Sequence, residues 1–416
     1  MDRIMLLARS TIACALTAAL HVAAAHVAAA HAQSNTTPNF SDDVMFLKTH
    51  GAVVVLSDSA GQSKIAISPN LQARVMTSTA GGDDGASFGW INRQYFTDAA
   101  AGKGNPHISP WGGEDRLWLG PEGGQFSIFF AKAASFDLEH WFTPKWIDVE
   151  PFETVSSTST QATFQRKVSF ANYSGTPFDV RIDRTIRLLS ADEVWNALHI
   201  PATPGVSVVA FESDNRLTNT GSANWTKQSG LLSIWILGMF NATPMTTVVM
   251  PIRPGEGAAV NDDYFGKVPP DRLRVIDNVV YFKADAKDRS KIGIPPRRAK
   301  PIFGSYDGQH KVLTICQYTF HEAAQDYVNS AWKIQENPFG GDVANSYSDG
   351  PPGDGKPQLG QFYEMETSSP ARELKRGETL SHTHRTMHFQ GNERSLDSIA
   401  KATLGVSMAQ IEAAMK

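Results

Sequence analysis

Between Thr163 and Leu189 apolar and polar residues alternate with a period of two, and this run constrains the fold more than any other part of the chain. Successive side chains of a strand point to opposite faces, so such alternation describes a sheet that packs on a core by one side. Phe164, Val168 and Phe170 share one face with Arg166, while Gln165, Lys167 and Ser169 share the other. Ser174-Gly175-Thr176-Pro177 turns the chain, and Phe178, Val180, Ile182, Ile186 and Leu188 then form the next apolar face, with Arg184 among them. The pattern predicts a long antiparallel hairpin.

Strand signals dominate elsewhere too. Ala52–Leu56, Lys64–Ser68, Arg74–Thr79, Val279–Lys283 and Lys311–Phe320 read as strands, and Leu231–Phe240 is apolar on both faces, which predicts a central strand covered on both sides. Helical periodicity is confined to the ends and short connectors. Ser41-Asp42-Asp43 is expected to cap a short helix running to about His50. Leu396, Ile399, Ala400, Leu404, Met408, Ile411 and Met415 are spaced for an amphipathic C-terminal helix that breaks near Gly405. No linker separates two domains; Ser348–Gly355 reads as a surface loop.

The first 32 residues read as an address. Arg3 and Arg9 precede an Ala-rich stretch, and Ala30-His31-Ala32 offers a small-x-small cleavage site before Gln33. His21, His26 and His31 make the stretch a poor membrane span. The expected organisation is a signal peptide over 1–32 and a single domain over 33–416, in a periplasmic or secreted protein. Cleavage removes Cys14 and leaves Cys316, whose strand-like surroundings mark it as an inert core thiol. A formal net charge of −4 without a basic block disfavours nucleic-acid partners. No further segment is apolar enough to span a membrane.

Four segments carry candidate chemistry. Trp111–Gln125 holds Trp111, Glu114, Asp115, Arg116, Trp118 and Glu122 among five glycines. Tryptophan faces stack on sugar rings, and carboxylates and Arg bind hydroxyls directionally; a tight loop with an internal Glu–Arg or Asp–Arg pair fits the same residues. In Gln361–Thr367, Glu364 and Glu366 would share a strand face with Phe362, and neighbouring carboxylates raise one another's pKa, as general acid–base work requires. Two solvent-facing glutamates are the alternative. In Ser381–Phe389, His382, His384 and His388 would share one face, with Met387 and Phe389 on the other. This places His382 and His384 among the candidate acid–base groups and Arg385 among the candidate ligand-binding ones. In Asn337–Gly350, Asn345 is a candidate sugar partner. Asp342, Asn345 and Asp349 admit calcium without matching the helix-loop-helix calcium pattern, and Asx-rich turns also explain them. No cofactor and no metal ligand set is otherwise expected.

Several of these residues carry a resemblance. The Gly112–Gln125 core (Gly-Gly-Glu-Asp-Arg-x-Trp-Leu-Gly-Pro-Glu-Gly-Gly-Gln), Gln72–Thr79, Ser87–Asn92 and Gln335–Pro338 resemble an uncharacterised family of secreted bacterial proteins. That family in turn resembles the galactose mutarotase-like superfamily, through Asn172-Tyr173-Ser174-Gly175, Leu217–Gly221 and the closing run Glu364–Thr367, Ser368-Ser369-Pro370, Leu374, Gly377-Glu378 and His382. The resemblance implies a mostly β fold, a large antiparallel β-supersandwich with short helices and a ligand cleft on a concave face. It implies a carbohydrate ligand, and a late-strand Glu base at Glu364 or Glu366. His140 is the mid-chain candidate for the superfamily's acid histidine, but its surroundings depart from that motif. The expected function is sugar or glycan binding with acid–base chemistry: epimerase-like, hydrolytic or lyase. A non-catalytic carbohydrate-binding protein on the same fold is the alternative.

Overall fold

A computed structural model describes residues 38–416 other than 354 and 356, so the signal segment expected over 1–32 lies outside the described residues. Along the described chain run β1 (Val54–Ser57), β2 (Lys64–Ser68), β3 (Arg74–Thr79), β4 (Arg116–Gly120), β5 (Glu153–Ser157), β6 (Gln161–Ala171), β7 (Pro177–Leu188), β8 (Val206–Asn219) and β9 (Ser233–Asn241). They continue as β10 (Thr246–Pro251), β11 (Leu273–Ile276), β12 (Val279–Lys283), β13 (Ser290–Ile294), β14 (Ile302–Asp307), β15 (Val312–Tyr318), β16 (Ala344–Ser348), β17 (Phe362–Ser368) and β18 (Thr379–Gly391). The α-helices are α1 (Phe40–Lys48), α2 (Arg93–Ala100), α3 (Lys145–Asp148), α4 (Ala191–Leu198), α5 (Glu393–Thr403) and α6 (Met408–Ala414).

The predicted hairpin is β6–β7, paired from Gln161 opposite Arg187 to Ala171 opposite Pro177. It joins a ten-stranded antiparallel sheet of order β11-β12-β10-β14-β15-β18-β8-β7-β6-β5. A five-stranded sheet, β13-β16-β17-β9-β4, packs against its inner face, and a three-stranded sheet, β1-β2-β3, meets the residue before β4 through an antiparallel bridge between Val75 and Asp115. The protein is therefore mostly β, a sandwich of large antiparallel sheets with short helices. Phe164, Ile182, Ile186, Leu217, Leu117, Leu119, Ile234 and Ile236 fill one part of the interlayer core. Phe240, Val248, Phe282, Ile292, Phe303, Cys316 and Met365 fill another.

The outer side of the ten-stranded sheet is covered by helices. The predicted C-terminal helix is present as α5 and α6, broken at Gly405, and buries Leu396, Ile399, Leu404, Met408 and Ile411 against Leu313, Ile315, Met387 and Phe389. Each such side chain contributes about 1.5–3 kcal/mol of apolar burial. At the other end α1 starts two residues earlier than expected: Asn39, not Ser41, is its cap, accepting from the Asp42 amide at 2.8 Å.

Candidate functional site

Strand register decides which side chains meet. Arg116 of β4 lies opposite Leu237 of β9, which lies opposite Glu366 of β17, which lies opposite Asn345 of β16. One step along, Glu364 lies opposite Tyr347, and Tyr347 opposite Lys291 of β13. Trp118 lies opposite Trp235. Paired residues share a face, so Arg116, Trp118, Trp235, Lys291, Asn345, Glu364 and Glu366 all stand on the side of the five-stranded sheet turned away from the large sheet. The expectation that Glu364, Glu366 and Phe362 share a face holds.

On that face charges pair tightly. Arg116 Nη2 lies 2.7 Å from Glu364 Oε1, and Lys291 Nζ lies 2.9 Å from Glu366 Oε2, which also accepts from Trp235 Nε1 at 2.9 Å. The Arg116 guanidinium lies 4.4 Å from the Trp118 ring centre, and Lys291 lies 5.0 Å from that of Trp235. An aromatic wall continues from Trp118 to Phe129, Trp141 and Trp332 through contacts of 5.3, 5.9 and 5.6 Å. Trp332 Nε1 donates to Glu122 Oε1 at 3.1 Å. On the far flank Tyr264 donates to Asp342 and accepts from Asn345 Nδ2 at 2.8 Å. The chain passes here without a side chain at Gly293, where a Cβ would collide with Asp342 and Asn345.

Burial pushes the Glu364 carboxyl up to about 7; Arg116 opposes the shift and Glu366 adds to it. Burial likewise raises Glu122, against the pull of Lys291. Lys291 is raised because Glu366 and Glu122 outweigh the effect of its own burial. Four buried polar atoms on this face have no hydrogen-bond partner: Arg116 Nε, Trp118 Nε1, Ser233 Oγ and Glu366 Oε1. Buried polar groups are almost always paired, so this concentration singles the face out as the candidate site.

Several sequence expectations place residues elsewhere. His382 and His384 do share a face with His388, and Met387 and Phe389 do pack on the other, but that shared face points into the sandwich. Thr367 Oγ1 lies 2.9 Å from both His382 Nε2 and His384 Nδ1. Thr367 points away from Glu366, so these histidines are on the opposite side of the five-stranded sheet from the glutamates. The expectation that they supply acid–base groups beside them is corrected. Burial lowers His382 to about 3 and His384 to about 4, which keeps both neutral. Glu114 also lies inside, 2.9 Å from Ser78 Oγ and 2.8 Å from His388 Nε2, and is not on the face of Glu364 and Glu366. Trp111 packs edge-on against Tyr95 and against Phe96 of α2. Arg385 lies on the outer side of the ten-stranded sheet, 2.6 Å from Glu212 in a depression of about 380 Å³. His140 is exposed and paired with Asp137 at 2.6 Å. Arg116, Trp118, Glu122, Asn345, Glu364 and Glu366 come together. Lys291, Trp235, Tyr264 and Trp332 were missed; a lysine and a tryptophan inside apolar strand runs were the signals available.

Among the described residues no group of three or more His, Cys, Asp or Glu is placed to hold a metal. Asp342 is bonded by Tyr264 and Asn261, and Asp349 by Tyr347 and the Gly360 amide. Burial raises the Cys316 thiol well above its usual range. Among the described residues no helix is long and apolar enough to cross a membrane.

The chain belongs to a family of unknown function (DUF6786), which it matches over residues 38–415. No curated protein matches it. Among solved structures it is similar to a protein provisionally described as an aldose 1-epimerase from Escherichia coli K12, at 11% identity and a TM-score of 0.48, covering 82% of this chain and 99% of that one. A galactose mutarotase-like protein from Lactobacillus casei gives 11% identity and a TM-score of 0.48 over 81% and 100%. The Slr1438 protein from Synechocystis gives 12% and 0.49 over 82% and 96%.

Proposed function

We propose that this chain is an exported, single-domain carbohydrate-active protein whose Glu364–Glu366 face binds a sugar and performs acid–base chemistry on it. The observation that carries the reading is the pairing of unlike carboxylates on one face. Glu364 titrates near neutrality, while Glu366 is held by Lys291 and Trp235 and keeps one oxygen, Oε1, without a partner. A group with a pKa near the working pH is both an effective proton donor and an effective acceptor. Glu364 takes or returns a proton at a sugar oxygen, and Glu366 accepts from a hydroxyl. Trp118 and Trp332 offer ring faces to the sugar, and Arg116, Glu122 and Asn345 bind its hydroxyls. Epimerase-like, hydrolytic and lyase reactions all use such a pair. Export rests on the signal-like residues 1–32.

A second reading, a non-catalytic sugar-binding protein, is favoured by one feature: both glutamates are already ion-paired, to Arg116 and Lys291. Thermal-shift measurements on the purified protein against mono- and oligosaccharides decide between them, because a ligand that binds the native state raises the melting temperature. An enzyme shows turnover of the stabilising sugar that Glu364→Gln abolishes while the thermal shift persists. A binding protein shows the shift without turnover. No shift with any sugar rejects both. A chelator arm tests calcium at Asp342, Asn345 and Asp349.

A further inference from the structure

We infer that the sugar carries an acidic group, a carboxylate or a phosphate, received by Arg74, Arg116 and Trp118. This rests on the carbohydrate reading above and specifies its ligand. The antiparallel bridge between Val75 and Asp115 makes Arg74 and Arg116 the next cross-strand pair. Two like charges directly opposite one another destabilise a sheet, and here both are buried. The site is built to hold them: a Cβ at Gly113 would come within 2.6 Å of Arg74 Cδ, so only glycine leaves room for this side chain.

Neither guanidinium is satisfied. Arg74 Nε donates to Gln72 Oε1 at 3.0 Å and Nη1 to the Gly112 carbonyl at 2.8 Å, but Nη2 has no acceptor. Arg116 Nη2 meets Glu364, but Nε has no acceptor, and neither does Trp118 Nε1. Asp148, at the end of α3, is a further anion near both. Its Oδ2 accepts from the Ser109 amide at 3.0 Å, and its Oδ1 is unpartnered. Burial raises Asp148 to about 6 and lowers Arg74 to about 9, the latter with Arg116 adding to the effect.

A hydroxyl that accepts one of these N–H groups must also place its own proton. An anionic oxygen only accepts, and charge-assisted bonds to a guanidinium are stronger and match its planar fork. The unpartnered acceptors, Asp148 Oδ1 and Glu366 Oε1, suit hydroxyls of the same sugar. An acidic sugar satisfies both sets.

Calorimetric titration of the full chain with galacturonate, glucuronate, glucose 6-phosphate, galactose and glucose tests this. An acidic sugar is expected to bind at least about tenfold more tightly than its neutral counterpart. Trp118→Phe keeps the ring and deletes the N–H, and is expected to weaken the acidic sugar about tenfold and the neutral one far less. Arg74→Lys is measured beside it, with an unchanged melting temperature as the check on folding. Preference for the uronates or for the phosphate supports the inference and identifies the acidic group. A neutral sugar binding as tightly as its uronate, or Trp118→Phe weakening both alike, overturns the acidic group and leaves the carbohydrate reading standing. Binding of no sugar at all overturns both.

Discussion

The two faces of the five-stranded sheet both carry charge, and they treat it differently. Toward the large sheet, Asp115 pairs with Arg184 of β7 and accepts from Ser213 Oγ at 2.8 Å, while Arg184 also donates to Asn215 Oδ1 at 2.7 Å and to the Ala73 carbonyl at 3.1 Å. Thr314 and His388 join Glu114 there, although Glu114 Oε1 and His382 Nδ1 have no partner. Toward the roof of loops, Arg74, Arg116, Trp118, Ser233, Glu366 and Asp148 each keep an unpartnered atom. Adjacent residues of β4 and of β17 serve the two faces in turn, as Glu366 and Thr367 do. The inner layer ties the sheets together, whereas the outer layer leaves several donors and acceptors without protein partners.

The sharpest way to break this contrast is to remove one partner of the inner pair. Arg184→Met strands Asp115 in the core and is expected to cost about 3–5 kcal/mol, read as a lower urea midpoint. Adding Asp115→Leu should recover much of the loss. An outer-face substitution should behave in the opposite way. Ser233→Ala deletes a buried hydroxyl that has no protein partner and is expected to leave stability within about 1 kcal/mol while weakening sugar binding. A large stability loss there would erase the distinction.

The pH dependence of stability sharpens it. His382 and His384 are depressed to about 3 and 4 in the fold, so the unfolded chain binds their protons first. Their contribution is complete above the unfolded value near 6.5 and is lost as pH falls toward the folded values, at up to about 1.4 kcal/mol per pH unit for each. Glu364 runs the other way. Its folded value is raised to about 7, so its contribution is full below the unfolded value near 4.5 and is lost as pH rises through 7. Urea midpoints from pH 4 to 8 should therefore show a flatter acid flank in His384→Gln and a flatter neutral flank in Glu364→Gln. The smallest effect is expected at Arg385→Ala, whose partly exposed pair with Glu212 lies away from both layers: about 0–1 kcal/mol, with sugar binding unchanged.

Much of this architecture was legible in the chain. Period-two alternation marked β6 and β7, and Arg74–Thr79 and Val279–Lys283 coincide with β3 and β12. The terminal helices followed from the spacing of Leu396, Ile399, Met408 and Ile411. The capping box of α4, formed by Ser190 and Glu193, was also written in the sequence, although no helix was read there. For the site, the pairing of Glu364 and Glu366 on one face was readable, because parity along a strand is a local property. The Trp111–Gln125 segment was correctly marked as dense, but it was read as one surface. Glu114 turns inward to His388, Arg116 turns outward to Glu364, and Trp111 joins the packing against α2.

The division has a physical cause. Local sequence determined which residues form strands and helices, where turns fall, and which side chains within one strand share a face. Those outcomes depend on backbone geometry and periodicity over a few residues. The tertiary structure alone decided which side of a strand is interior and which strands lie beside it. β18 carries His382 and His384 in the ten-stranded sheet, while β17 carries Glu364 and Glu366 in the other. The chain separates Arg74 from Glu364 by 290 positions, yet Arg116, one bridge step from Arg74, is bonded to Glu364. Such contacts are set by the packing of two layers against each other, and no short stretch of sequence contains them.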